Sequence, residues 1–331
     1  MNAEVRRDPR AVFGMPAYGR VDRLAQVLES LLGQTCQDFA IVIVDDKPSP
    51  EASAIVETYA ALDRRITYEP NPTRLGMIGN WRKAFDRGRE LHPHAEFFAW
   101  VSDHDIWHPR WLEVLIGELD ADPDVVLAYP QIQRVYATHR RILQRGFQTR
   151  GLKTPRARIR VTASGMTAGN CIYGLFRSDA LAQAGVFRAV LAPDRQVLMA
   201  LLLLGEFSLV NETLWYREVA GEFSYGRQRR MFFPTHVPLH TYLPAAVQHL
   251  GLAVWDFGIR GRGLPKLSRR EGIACAFVQF WYEVRRELMK DDARWRLILE
   301  NTRFGAGMRA RRERMAARAA MQEADASEAA E

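Results

Sequence analysis

Apolar and polar positions follow two alternating periods along roughly the first two thirds of the chain. The run Ala11-Val12-Phe13-Gly14-Met15, residues 39–44 and residues 97–101 are short and wholly apolar. They read as strands buried inside a sheet covered on both faces. Between them the apolar residues recur at helical spacing. Val21, Leu24, Ala25, Leu28, Leu31 and Leu32 form one face, and Ile55, Val56 and Tyr59 a second. Ile78, Trp81 and Phe85 form a third, and Leu112, Leu115, Ile116 and Leu119 a fourth. Ser49-Pro50 reads as an N-cap followed by proline at the first helical position, and Pro109 as a proline inside the first turn of the fourth helix. Residues 65–69 and 125–129 add two strands. Strands alternating with helices predict an α/β fold whose central sheet is mostly parallel and flanked by helices.

The pattern then changes. Arg145, Arg150, Lys153, Arg156, Arg158 and Arg160 occur with no acidic residue among them, as a solvated surface loop or as a mobile lid over an anionic substrate. Residues 169–177 read as a strand entered through small residues, 178–184 as a short helix and 194–204 as an apolar helix. Residues 206–210 and 213–216 read as two short strands. From Gly226 the alternation stops. Residues 234–255 are aromatic, apolar and helical in pattern. In 272–289 Ile273, Phe277, Phe280, Trp281, Val284 and Leu288 share one helical face, expected to pack on the main domain rather than on a membrane. The division expected is a domain at 1–222 and a helical, basic extension at 223–331. The domain would have a nucleotide-binding half at about 10–137 and an acceptor half at about 138–222. Six arginines in 303–318 give way to an acidic end with the composition of a frayed or disordered tail.

Composition narrows the class. Three cysteines, Cys36, Cys171 and Cys275, argue against a disulfide framework or zinc cluster and suit a reducing compartment. The first ten residues lack the apolar core of a secretory signal, and no apolar stretch is long enough to cross a bilayer. A net charge of +7 suits an anionic partner, but no nucleic-acid-binding module is recognisable. Two strands end in acidic pairs, Asp45-Asp46 and Asp103-His104-Asp105. Carboxylates gathered at the carboxyl ends of strands repel one another, unless a cation or a hydrogen-bond donor offsets them. Asp103 and Asp105 can grip a hard divalent ion that in turn holds a diphosphate.

Several ordered motifs carry a resemblance. They are Pro16-Ala17-Tyr18 after the first strand, Ser30-Leu31-Leu32-Gly33-Gln34-Thr35 at a helix end, Val44-Asp45-Asp46, Gly76 with Asn80, and Ser102 to Trp107. In this order they resemble an inverting family-2 glycosyltransferase with the GT-A fold, from about residue 12 to residue 216. The resemblance implies a nucleotide diphosphate sugar as donor and a sugar or lipid-linked acceptor, with Mn²⁺ or Mg²⁺ as cofactor. It also suggests surface polysaccharide or glycolipid assembly at the cytoplasmic side. The basic segment 303–318 is expected to favour peripheral contact with an anionic membrane. Pro16, Ala17 and Tyr18 would line the nucleoside pocket, with Arg20, Gly76 and Asn80 in the nucleotide-sugar site. Asp46 would accept from the base and Arg74 approach the diphosphate. Asp103 and Asp105 would handle ribose and metal, Asp194 would be the general base, and Gly169, Asn170 and Gly174 would shape the acceptor site. The chain departs from the common Asp-x-Asp-Asp pattern at Ser102 and His104, and has Lys47-Pro48 after Asp46 and Pro193 before Asp194. His104 reads equally as a ligand or as a peripheral hydrogen-bonding residue. A nucleotidyltransferase and a non-catalytic nucleotide-sugar-binding relative are the alternatives.

Overall fold

A computed structural model describes residues 8–136, 141–144, 146–165, 170–219, 225–260 and 267–289. The first half follows the apolar pattern. β1 (Ala11–Ala17) and β2 (Phe39–Asp45) are buried at every position, as strands covered on both faces must be. With β3 (Ile66–Pro70) and β4 (Phe97–Trp100) they form a parallel array in the order β3-β2-β1-β4. The connections run through α1 (Val21–Leu32), α2 (Pro50–Leu62) and α3 (Gly76–Leu91). Ser49 caps α2 as expected, its Oγ accepting from Ala52 N at 3.2 Å, with Pro50 next in line. Because all four strands run the same way, the chain leaves each at the same edge, and the acidic pairs after β2 and β4 meet there.

The second half is mixed rather than parallel. After β4 come β5 (Ile106–Trp107), α4 (Trp111–Ala121), β6 (Val125–Tyr136) and β7 (Arg141–Gln144), then α5 (Pro155–Gly165) and a 3₁₀ turn at Asn170–Tyr173. β8 (Leu175–Arg177), α6 (Ser178–Ala184), α7 (Pro193–Leu204) and β9 (Glu206–Val219) complete the sheet region. β8 runs antiparallel between β4 and β6, β9 lies parallel to β6, and β5 closes the edge antiparallel to β9. The α/β class holds, with parallel pairing concentrated in the first four strands.

Four local expectations are corrected. Pro109 lies ahead of α4 instead of inside its first turn, because β5 intervenes and the helix begins at Trp111. The basic stretch 145–160 is neither a solvated loop nor a lid throughout, since α5 begins at Pro155 and Arg158 is buried. Its guanidinium donates to the carbonyls of Leu152, Lys153 and Leu202, satisfying peptide oxygens that would otherwise be orphaned. The two short strands after residue 205 are one strand, β9, irregular where Asn211 and Glu212 are exposed. Residues 169–174 do not extend a strand: the described ones form a 3₁₀ turn, and β8 starts at Leu175.

The rest is helical in part: α8 (Tyr225–Phe232), a 3₁₀ turn at Leu239–Tyr242, α9 (Ala245–Ala253) running into a π-helical turn at Val254–Ile259, and α10 (Arg269–Met289). Here the stripe expected on α10 is met only in part, with Phe280 and Val284 half-buried. Ile273, Phe277 and Trp281 are exposed, whereas Cys275, Ala276, Gln279 and Glu283 are buried. One compact unit runs to Phe280, so α8 and α9 belong with the sheet, and a second unit comprises Trp281–Glu331. The basic segment 303–318 and the acidic end lie outside the described residues. No helix among the described residues is long and apolar enough to cross a membrane.

Candidate active site

The loops after β1, β2 and β3 are tied together beneath a surface tyrosine. Asp46 follows β2 and is buried. Its Oδ1 accepts from Leu75 N (2.6 Å) and Asn71 Nδ2 (3.0 Å), and its Oδ2 from Gly76 N (2.9 Å). Asn80, also buried, donates to the carbonyls of Ala17 and Val44 and accepts from Asn71. These two side chains hold the ends of β1 and β2 against the loop 71–76. Gly76 is needed where that loop enters α3. It has φ +76°, and a Cβ there would lie 2.5 Å from the Phe232 carbonyl oxygen. Pro16 and Ala17 are buried, while Tyr18 is 42% exposed, with Arg74 5.0 Å and Lys47 5.9 Å from its ring centre. The structure thus brings Pro16, Ala17, Tyr18, Asp46, Arg74, Gly76 and Asn80 to one edge of the sheet.

The turn after β4 is built with equal care. Asp103 accepts from Tyr18 N at 2.7 Å and lies 2.8 Å from His104 Nδ1. Asp105, 1% exposed, accepts from Glu218 N at 2.9 Å, and its Oδ1 is 3.9 Å from His104 Nε2. His104 therefore lies between two carboxylates. Burial works against its charged form, but the Asp103 hydrogen bond and the charges of Asp105 and Asp103 together raise its pKa above the ordinary histidine value. Burial raises the Asp105 carboxyl, and His104 offsets part of that. Ser102 replaces a carboxylate and has a local task, its Oγ accepting from Asp105 N. Behind the turn Gln34 donates to the His108 carbonyl and accepts from Leu112 N, and Thr35 bonds Glu113. That is the physical work of the Gln-Thr pair at the end of α1. Arg20 pairs with Asp22 and Glu218, linking the start of α1 to β9.

Asp194 lies in the first turn of α7, where a carboxylate is favoured by the helix dipole. Its approach is unusual. Ala192 has φ +47°, and the chain is held by Gln248 Oε1 accepting from Leu191 N, Gln228 Oε1 accepting from Ala192 N, and His249 Nε2 bonding the Leu191 carbonyl. Tyr173 links this corner to the acidic turn. Burial most strongly raises its pKa; Arg217 opposes this, while the charges of Asp105, Asp103 and Asp194 add to it. Tyr173 itself rests on Trp81 and Trp215, with ring centres 5.3 and 4.8 Å away. Asn170 is buried and accepts from Arg217. Gly174 is buried against β6, and a Cβ on it would meet the Ala128 carbonyl oxygen at 2.6 Å, so its smallness serves strand packing. Gly169 lies outside the described residues.

The donors present suit a divalent ion only in part. Among the described residues no three His, Cys, Asp or Glu side chains are grouped to hold one. Two carboxylates close to one imidazole fit a hard ion that completes its shell with phosphate oxygens and water, the usual habit of Mg²⁺.

The family model described as Glycosyl transferase family 2 matches residues 13–181, just over half of the chain. The chain belongs to this family. An uncharacterised glycosyltransferase of Methanocaldococcus jannaschii is 28% identical over 117 residues, 35% of this chain and 39% of the relative. Protein CgeD of Bacillus subtilis is 23% identical over 135 residues, 38% of this chain and 30% of the relative. The chain thus spans well under half the length of these relatives. Among solved structures, Staphylococcus aureus TarS 1–349 in complex with UDP is 19% identical with a TM-score of 0.48, covering 84% of this chain and 82% of that one. The mannosyltransferase PcManGT of Pyrobaculum calidifontis, in complex with GDP-Man and Mn²⁺, is 14% identical with a TM-score of 0.48, covering 86% and 89%.

The match ends at residue 181. Asp194, Arg217 and Glu218 lie beyond it. Sequence reasoning missed Tyr173, Arg217 and Glu218. The only signal for Arg217 was a cation directly after the aromatic run Trp215-Tyr216.

Proposed function

We propose that this family-2 member transfers a sugar from a nucleotide diphosphate sugar to an acceptor hydroxyl, with inversion at the anomeric carbon. The observation that carries the reading is the linked carboxyl edge of the parallel strands, where Asp103 accepts from Tyr18 N and Asp46 holds the loop 71–76, in a chain that belongs to glycosyl transferase family 2. In this reading Tyr18 stacks on the base, flanked by the cations Lys47 and Arg74. Pro16 and Ala17 form the floor, while Asp46, Gly76 and Asn80 fix the loop that holds the nucleotide. Arg20 and Glu218 brace the same edge, and Arg217 faces the diphosphate. Asn170 and Gly174 stand on the acceptor side.

The reaction is a single displacement. The acceptor oxygen forms a bond to the anomeric carbon as the bond to the diphosphate oxygen breaks. Asp194 receives the acceptor's proton, the task of a carboxylate within hydrogen-bond reach of the attacking hydroxyl. Arg217 neutralises part of the charge that grows on the leaving diphosphate. Asp103 and Asp105, with His104 adjacent, are the residues that would hold Mn²⁺ or Mg²⁺. Such an ion supplies further charge stabilisation to the leaving group when bound. Surface polysaccharide or glycolipid assembly is the role that such a transfer would serve.

Two measurements test the proposal. A thermal-shift panel of nucleoside diphosphates and nucleotide sugars, with and without Mn²⁺, should give one donor that stabilises by about 2.7 kcal/mol at 100 times its dissociation constant. Asp194→Asn should keep that shift and lose sugar transfer. A variant that transfers sugar at the parental rate would remove Asp194 from the role.

A further inference from the structure

The surface formed by α9, its π-helical turn and the start of α10 carries a pattern that sugar transfer does not use. Fourteen large hydrophobic side chains are exposed among the described residues, and eight of them fall between residues 239 and 277. They are ordered. Leu243, Val247, Trp255 and Ile259 lie on a spacing of four along α9 and the π turn, with exposed Gly251 filling the gap. Ile273 and Phe277 continue at the same spacing on α10. The two rows meet where Gly258 faces Ile273, since a Cβ on Gly258 would lie 2.6 Å from the isoleucine Cγ1. Contiguous exposed apolar surface of this kind marks an interaction site.

Charge identifies the occupant. Residues 225–280 hold eight Lys and Arg against two Asp and Glu. One acidic residue is turned into the fold, and the other, exposed Glu271, closes on the start of its own helix. Asp256 is buried and bonds Arg188, and Glu271 accepts from Ser268 N and Oγ. The outward charge is therefore positive. Arg260 is exposed and lies 5.1 Å from the Trp255 ring centre, and Arg269 and Arg270 are exposed just ahead of Ile273. We infer that this face docks on a lipid bilayer rich in anionic headgroups, with Trp255, Ile259 and Phe277 entering the interface and Arg260, Arg269 and Arg270 meeting the headgroups. Tryptophan beside arginine over an apolar stripe is the chemistry of such an interface. A second copy of the chain fits worse, because a two-fold contact would press two positive surfaces together. Nothing in this inference uses Asp194, so it stands or falls apart from the transfer reaction.

Flotation of the full chain with vesicles decides it. The chain should float with phosphatidylcholine vesicles containing phosphatidylglycerol, far less with phosphatidylcholine alone, and less as salt rises. The pair Trp255→Ser with Phe277→Ser should weaken binding by about tenfold or more while leaving the melting temperature unchanged. Arg269→Gln with Arg270→Gln should weaken binding to anionic vesicles only. Leu62→Ser, exposed on α2, should change nothing. Equal flotation with both lipids, no flotation with either, or parental binding by the aromatic pair would overturn the proposal. So would a fall of several degrees in melting temperature for that pair, which would mean the face is covered within the chain. A dimer that the pair turns into a monomer would assign the face to a second copy instead.

Discussion

Asp46 shows what a carboxylate at a strand end does for the chain itself. Its carboxylate gathers three N–H donors from the loop 71–76, so under the proposed function it acts on a nucleotide through the loop it holds. Asp46→Asn would leave one acceptor oxygen and turn an NH₂ group toward N–H donors. A loss of about 1–3 kcal/mol is expected in urea unfolding, together with weaker donor binding in the thermal-shift assay. The acidic side chains stood out in the sequence because carboxylates at strand ends are conspicuous. Arg158 and Arg217 did not sort themselves. Both are single cations in mixed surroundings, and only the register of α5 and β9 tells that one caps buried carbonyls and the other reaches the buried Asn170 side chain.

Elements in this molecule are located by a few long-range clips. Gln248 on α9 and Gln228 on α8 hold the turn that presents Asp194. Under the proposed mechanism, Gln248→Ala should lower kcat by about tenfold and leave donor affinity nearly unchanged, because only the base is displaced. An equal fall in donor affinity would mean a general packing role. Ahead of β1, Arg10 bonds Glu96 and Asp120, drawing the strand's start to β4 and the end of α4. The Arg10 hydrogen bond holds the Asp120 carboxyl below its ordinary range. A depressed carboxylate stabilises the fold above its unfolded pKa, and this is lost as pH falls through the lower folded value. Arg10→Ala should therefore cost under about 1 kcal/mol at neutral pH, since these groups are partly exposed, and the gap from the parent should close in acid. Chemical unfolding at pH 7 and below pH 3 would check this.

At the scale of the molecule, the sequence foretold the parallel half because a strand covered on both faces has no polar positions to blur it. The other half was blurred for physical reasons. β5 is two residues long, and β9 was split in two because Asn211 and Glu212 interrupt it where its pairing with β6 shifts. The α10 stripe held only in part because apolar periodicity was equated with burial, and here the most buried positions, Cys275, Ala276, Gln279 and Glu283, are small or polar. Burial also governs the thiols. Cys171 is raised by burial and by Asp194, and burial pushes Cys275 up to about 11. Of the three cysteines only Cys36 is not buried, so one thiol per native chain should react with a disulfide reagent at pH 8, and all three after unfolding in urea.

The hydrogen bond from Glu218 N to Asp105 joins residues 113 apart in sequence. With β5 also closing on Trp215 and Tyr216, the acidic turn gains its final partners from late chain. A chain emerging from the ribosome can pair β1, β2 and β4 early, but its acidic turn must wait for β9. Until then Asp103, His104 and Asp105 meet water, ions and chaperones as an open loop. The acidic turn is thus among the later parts of the sheet region to reach its final form.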